Sequence, residues 1–531
     1  MNALNTNQGF SSVSYQTVPL PKSIRNMGGG SFVLDKTTPI LFEAGASLTK
    51  IALFLKTYIL QATGMSLNSQ GVDSGDLSSR SAITLALSAS ITNEEGYELK
   101  VDSRGIHITG KTYKGVFYGV QTLRKSMPTE EVGRLEFPFV EIQDEPRFAY
   151  RGMHLDTARH FFPVSFVKEY IDLIALHGMN TFHWHLTEDQ GWRIEIKKYP
   201  LLTSVGSVRK KTIINRSTVY DTTPHTGYYT QDECRQIVAY AKERCITVIP
   251  EIDMPGHMVA ALAAYPELGC TGGPYEVCPR WGIMPDVLCA GNDKVYEFLE
   301  GVLDEIMDIF PSKYIHIGGD ESPRDRWKVC PKCQERIRKE GLKGNDEHSA
   351  EDLLQSYFTA RIERYLNSKG RSIIGWDEIL NGQVAPNATV MSWRGVAGGI
   401  KAAQLDHDVI MTPTTFCYFD YYQSDNPARE PYGIGGNLPL EKVYEFDPVQ
   451  KEMTPEQAKH VLGGQANLWT EYISTTAHAE YMVLPRMAAV AEADWMEPQA
   501  RSYEAFVERL RQLTATYEAL GYQYCAHCFG K

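Results

Sequence analysis

No stretch of this 531-residue chain runs for eighteen or more residues on uncharged apolar side chains, so the sequence offers no candidate membrane-spanning helix. It also lacks a cluster of lysine and arginine large enough to neutralise a run of phosphates. The net charge is −12, from 53 basic and 65 acidic side chains, which argues against nucleic acid or an anionic membrane as the main partner. Short-period repeats and low-complexity tracts are missing. Residues 1–15 are polar, without a basic segment leading into an apolar one. Either the protein is cytoplasmic, or a signal sequence has been removed and the protein is periplasmic or secreted. What remains, at 43% hydrophobic and 22% charged residues, has the composition and length of a globular protein of two or three domains.

Cysteine, by contrast, is present ten times. Cys330/Cys333 and Cys525/Cys528 form two C-x-x-C pairs, and two such pairs can build a four-thiolate zinc site. Their wide separation in the chain is unlike a compact zinc ribbon, and disulfides or free buried thiols are the alternatives. Cys270 and Cys278 flank T-G-G-P and could close a loop.

Residues from about 15 to 147 suggest a small α+β unit. Ser81–Leu87 alternates as a strand does, Tyr97–Val101 and Ile106–Thr109 make a hairpin pattern about Gly105, and Gly115–Met127 has the period of a helix. From Arg151 the pattern changes to strands alternating with helices. The strand candidates are Gly152–Asp156, Asn180–Leu186, Thr247–Ile252, Tyr314–Ile317, Ser372–Trp376, Thr389–Trp393, Val409–Met411 and Leu462–Leu468. Helical periods are clearest at Ser165–His177, Gln231–Arg244, Asp293–Phe310, Ala350–Lys369 and Ala477–Ala493. Eight alternations predict an α/β fold, a (β/α)8 TIM barrel preceded by the smaller α+β domain, divided as 1–147 and 148–531 with a C-terminal helix in the second part. A doubly wound open sheet is the alternative, and no glycine-rich phosphate loop follows the first strand to favour it.

A barrel enzyme builds its site at the carboxyl ends of its strands. The first strand here leads to Asp156 and Arg159. The second carries His183 and His185 and leads to Glu188 and Asp189, and the third leads to Glu251, Asp253 and His257. The fourth, Y-I-H-I-G-G-D-E at 314–321, ends in Asp320 and Glu321, adjacent acids that repel unless one is protonated or each has its own partner. The fifth gives Trp376, Asp377 and Glu378, the sixth Trp393 and Arg394, the seventh Tyr418 and Asp420, the eighth Trp469 and Glu471. Carboxylates interleaved with tryptophans suit a sugar, whose apolar faces stack on indoles and whose hydroxyls bond to charged groups. His183 and His185 point the same way and suggest metal ligands, with hydrogen bonding inside the barrel as the alternative.

Residues 151–495 resemble the catalytic barrel of glycoside hydrolase family 20, the β-N-acetylhexosaminidases. The resemblance rests on R-G-M-H-L-D-T-A-R (151–159), H-W-H-L-T-E-D-Q-G-W-R (183–193), P-E-I-D-M-P-G-H (250–257), H-I-G-G-D-E (316–321), G-W-D-E (375–378) and L-W-T-E (468–471). Residues 15–147 resemble the domain that precedes the barrel in that family. Glu188 stands where many members carry a second aspartate. The resemblance implies a retaining, exo-acting enzyme on glycan substrates that uses the substrate's own acetamido group as nucleophile, with neither cofactor nor metal. Glu321 is then the general acid and base. Asp320 accepts the acetamide N–H, Tyr418 donates to its carbonyl oxygen, and Trp376, Trp393 and Trp469 wall its methyl group. Arg159, Glu471 and Asp420 hold sugar hydroxyls in a closed pocket, and Asp189 and His257 form a polar relay behind Glu321. Tyr421 and Tyr422 compete with Tyr418 for its role. The oligomeric state is left open.

Overall fold

The computed structural model describes residues 11–45, 47–77, 81–130 and 132–528. Most of the polar stretch at 1–15 lies outside these residues. Among them, no helix is long and apolar enough to cross a membrane.

The N-terminal part is an eight-stranded mixed sheet. Its central hairpin pairs Tyr97–Asp102 with Gly105–Gly110, turning at Gly105, where φ is +152° and a Cβ would lie 1.9 Å from the Ala82 carbonyl oxygen. Helices Thr49–Thr63 and Tyr113–Ser126 pack on it.

Eight parallel strands then close into a barrel: β1 (Tyr150–Asp156), β2 (Thr181–His185), β3 (Thr247–Glu251), β4 (Tyr314–His316), β5 (Ser372–Trp376), β6 (Thr389–Ser392), β7 (Val409–Met411) and β8 (Val461–Ala466), with β8 pairing back onto β1. All eight expected strands are present, with ends shifted by a residue or two. The helices between them cover the outer face, so both faces of a strand are buried and hydrophobic outer residues alternate with functional inner ones. Local chemistry starts these helices. Thr230 and Ser349 make reciprocal capping boxes with Glu233 and Asp352, and Asn292 caps Asp293–Ile309. The helix expected over Ala477–Ala493 is instead two, Thr476–Val483 and Arg486–Trp495. Pro485 sits at the break. It has no N–H for the ladder, and its ring clashes with the preceding turn.

Arg151, at the start of β1, ties the two parts together. Fully buried, it donates to Glu95 (2.8 Å), to the Tyr118 hydroxyl (3.0 Å) and to the carbonyls of Phe148 and Gly178. On the other side Trp495 donates its indole N–H to Asp144 of the sheet.

Candidate active site

Strand register sets the floor of the site. His185 pairs with Asp156 on one side and Glu251 on the other, and Glu251 pairs with His316, so these four stand at one level around the rim. Glu251 is fully buried and serves as a hub. One of its oxygens accepts from His183 Nε2 (2.9 Å) and His185 Nδ1 (2.6 Å), and the other from Trp376 Nε1 (2.9 Å). The two histidines differ in charge state. His183 Nδ1 takes the amide of Gln465, so its ring needs only one proton, and burial pushes its pKa down to about 4. His185 spans two acids, with Nε2 3.1 Å from Glu188. Burial opposes its charge, but Glu251 and Glu188 raise its pKa well above the ordinary value. Both imidazoles hydrogen-bond to Glu251 inside the barrel.

Beyond β4 the chain must pass Asp253. Gly318 has φ +66°, and a Cβ there would lie 1.8 Å from Asp253 Oδ1. Gly319, at φ +94°, donates its N–H to the same oxygen (3.1 Å). The two glycines thus allow the turn that delivers Asp320 and Glu321 to the cavity. His257 stands behind the acids. Its Nε2 is 3.6 Å from Asp320 and 3.5 Å from Glu321, and its Nδ1 is 2.6 Å from Glu188 and 3.2 Å from Asp189. Burial lowers its proton affinity and the neighbouring carboxylates, Glu188 foremost, more than restore it, so the ring is held as imidazolium. Glu188, despite burial, is held well below the usual carboxylate range by Arg159 and His257, whereas Asp189 is raised, chiefly by burial. Burial also raises Asp320, with His257 pulling the other way.

The cavity in front of these groups measures about 190 Å3. Asp320, Glu321, Trp376, Trp393, Tyr418 and Trp469 line it, as do Arg159, Asp420 and Glu471, so nine of the eleven expected site residues share one wall system. Asp189 and His257 are not among the lining residues, and His257 stands between Asp189 and the two acids. Trp376 lies 5.8 Å from Trp469, and Trp393 stacks at 6.0 Å and 20° on Tyr418. Trp393 is held at both ends, its backbone N–H on Asp377 (3.0 Å) and its indole N–H on Glu378 (2.9 Å). Burial, Asp320 and Asp377 together push Glu378 up to about 8. Arg159 bonds Asp156 (3.2 Å) and Glu188 (3.1 Å), lies over Trp469 and is 3.9 Å from Glu471.

Sequence reasoning left several participants unassigned. Glu188 joins His185, Arg159 and His257, and the signal was its place in the strand-end motif beside Asp189. Tyr421 also lines the cavity, with Thr414 and Ile434, while Tyr422 turns its hydroxyl to Gly433 instead. Asp253, noted only as a strand-end acid, is the acceptor that shapes the turn after β4.

The catalytic-domain model of glycosyl hydrolase family 20 matches residues 148–498, and the model of that family's domain 2 matches residues 14–145. A β-hexosaminidase of Porphyromonas gingivalis is 47% identical over 96% of this chain, and the match spans 64% of that protein. This chain thus spans less than two thirds of that relative's length. A β-hexosaminidase of Vibrio furnissii is 35% identical over 89% of this chain and 75% of its own. Among solved structures, the exo-β-N-acetylglucosaminidase of Vibrio harveyi in complex with N-acetylglucosamine superposes with a TM-score of 0.83 at 31% identity, covering 97% of this chain and 79% of that one. With the eight-stranded barrel, the preceding α+β sheet and two family models covering most of its length, the chain belongs to glycosyl hydrolase family 20.

Proposed function

We propose that this chain is an exo-acting, retaining β-N-acetylhexosaminidase that removes terminal β-linked N-acetylglucosamine or N-acetylgalactosamine with the help of the substrate's own acetamido group. The observation that carries the reading is the position of the two acids. Asp320 and Glu321 leave the same strand end and reach one imidazole of His257. A pair in which one carboxylate attacks the sugar while the other protonates the leaving group flanks the scissile bond from two sides. Adjacent acids on one imidazole divide the work differently, and the nucleophile comes from the substrate.

In this scheme Glu321 protonates the glycosidic oxygen and later takes a proton from water. Asp320 accepts the acetamide N–H and steadies the positive charge of the oxazolinium ring. The His257 imidazolium, itself anchored by Glu188 and Asp189, favours the ionised form of Asp320. Tyr418 donates to the acetamide oxygen, and the indoles of Trp376, Trp393 and Trp469 fix the acetamide against C1 and keep water out, a positioning effect. Asp320 Oδ1 and Asp420 Oδ1 are buried without a donor among the described residues, which supports roles as acceptors for ligand N–H and O–H groups. A cavity of 190 Å3 is below the roughly 300–1,000 Å3 of sites for drug-sized ligands and favours one terminal sugar over two.

The test compares aryl β-N-acetylglucosaminide, aryl β-N-acetylgalactosaminide and aryl β-glucoside. Turnover of the first two and none of the glucoside is expected. Comparable turnover of the glucoside, which has no acetamide, would sink the mechanism. Release of disaccharides from a chito-oligosaccharide would overturn the one-sugar pocket.

A further inference from the structure

Ten cysteines in the chain serve no step of this chemistry. Four of them meet in space. The Sγ atoms of Cys270, Cys289, Cys330 and Cys333 all lie within 4.8 Å of one another. Cys289 Sγ is 3.6 Å from both Cys330 and Cys333, and Cys333 is 3.9 Å from Cys270. These spacings are too long for S–S bonds, which are about 2.05 Å. Cys289 and Cys333 each touch two others, so the four sulfurs form one connected cluster. Zinc thiolate bonds of about 2.3 Å in a tetrahedron put neighbouring sulfurs ~3.8 Å apart, the spacing found here. The C-x-x-C pair Cys330/Cys333 flanks Pro331, the first residue of helix Pro331–Lys339. It meets Cys270 and Cys289 from another loop, not the distant Cys525/Cys528, which are joined by a disulfide. Cys278 takes no part, because its thiol lies against the Arg280 carbonyl and Met284.

We propose that Cys270, Cys289, Cys330 and Cys333 form a structural tetrathiolate site for one zinc ion. A closed set of four protein ligands leaves no open position for chemistry, so the site acts by holding loops together. The surrounding backbone is shaped for close approach. A Cβ on Gly291 would lie 2.2 Å from the Lys332 carbonyl, so only glycine lets the segment after Cys289 press against the C-x-x-C turn. Cys289 N–H donates to Leu268 (2.9 Å), and Trp327, just before Cys330, donates its indole N–H to Leu288 (2.9 Å).

One loop joined by the ion is the excursion after β3. Its Cys278 N–H bonds the Asp189 carbonyl, and its Arg280 carbonyl receives Gln190, whose side-chain oxygen accepts from Arg159. The other loop follows β4 and carries Asp320 and Glu321. The ion thus clamps the loop that carries Asp320 and Glu321, which line the cavity, to the loop after β3, whose Arg280 carbonyl bonds Gln190 behind Arg159.

The experiment is elemental analysis of the full chain, purified without chelator and with no metal added. One equivalent of zinc per chain is expected, released in step with reaction of thiols by a mercurial reagent. Exchange into cobalt should give the intense absorption of a tetrahedral cobalt tetrathiolate. Cys330→Ser together with Cys333→Ser should lose the zinc and lower Tm by several degrees, while Cys278→Ser keeps both. If the double variant does not fold, zinc content and the cobalt spectrum of the parent chain decide. Less than a tenth of an equivalent of zinc, iron in its place, or a disulfide found by mass spectrometry among the four would overturn the assignment.

Discussion

The two ends of the barrel are built from the same eight strands and carry opposite chemistry. At the amino end Tyr150, Thr181, Ile249, Tyr314 and Leu462 border a cavity of about 450 Å3, larger than the one at the carboxyl end, and no carboxylate lines it. At the carboxyl end a cavity of less than half that size holds four carboxylates, an arginine and three indoles. The change takes one step of the two-residue period. Ile249 gives way to Glu251, Tyr314 to His316, Ile374 to Trp376 and Met391 to Trp393 along the inner faces. What sets the carboxyl end apart is convergence of ionisable groups whose proton affinities are pushed apart by burial and by one another.

Substitutions at the two ends should differ in kind. The largest expected effect is from Glu321→Gln, which should lower kcat/KM on substrates with poor leaving groups by roughly 10²–10⁴-fold, and less on activated aryl glycosides that need no protonation. Equal losses on both would remove Glu321 from the acid role. Asp320→Asn should cost about 10²–10³-fold through loss of charge stabilisation, with a smaller change in KM than in kcat.

Glu188→Gln reaches the same chemistry indirectly and has a pH signature. His257 has a folded-state pKa raised by Glu188, so its contribution to stability is complete below the unfolded histidine value of about 6.5 and is lost as pH rises through the raised value. Without the Glu188 charge that raised value falls, and the alkaline loss of Tm should be smaller and level off at lower pH than in the parent chain. An unchanged Tm profile between about pH 6 and 10 would mean that Glu188 does not set the charge of His257.

The smallest effect on turnover is expected at the amino end. Ile249→Ala should cost about 2–5 kcal/mol of stability. Measured well below Tm, its kcat/KM should stay within about twofold of the parent. A large loss of turnover there would break the contrast between the ends.

Much of this was legible in the chain itself. All eight strands carried readable patterns, because a parallel strand covered by helices is a short apolar run ending in a turn. The strand-end acids and tryptophans were legible for the same reason, since the barrel gives their position a meaning. Three long N-terminal elements, Ser23–Asp35, Thr49–Thr63 and Arg134–Asp144, are not among the elements the sequence predicts. The first carries Gly28–Gly30 and a mostly exposed face, so its pairing with Arg134–Asp144, not its own pattern, makes it a strand. Pro485, inside the helical period of Ala477–Ala493, is the local signal for the break between Thr476–Val483 and Arg486–Trp495. The Glu251 hub, the double contact of His257 and the gathering of Cys270 and Cys289 on Cys330/Cys333 depend on which strands and loops are neighbours. No local pattern encodes that.

The central claim is that the nucleophile belongs to the substrate. It is tested most directly with aryl β-glucosaminides whose N-acetyl group carries none, one, two or three fluorines. Each fluorine withdraws electron density from the carbonyl oxygen while leaving the sugar and the leaving group unchanged. The account predicts that kcat/KM falls steeply and steadily along the series. A flat series would contradict it and return the attack on C1 to a carboxylate of the protein.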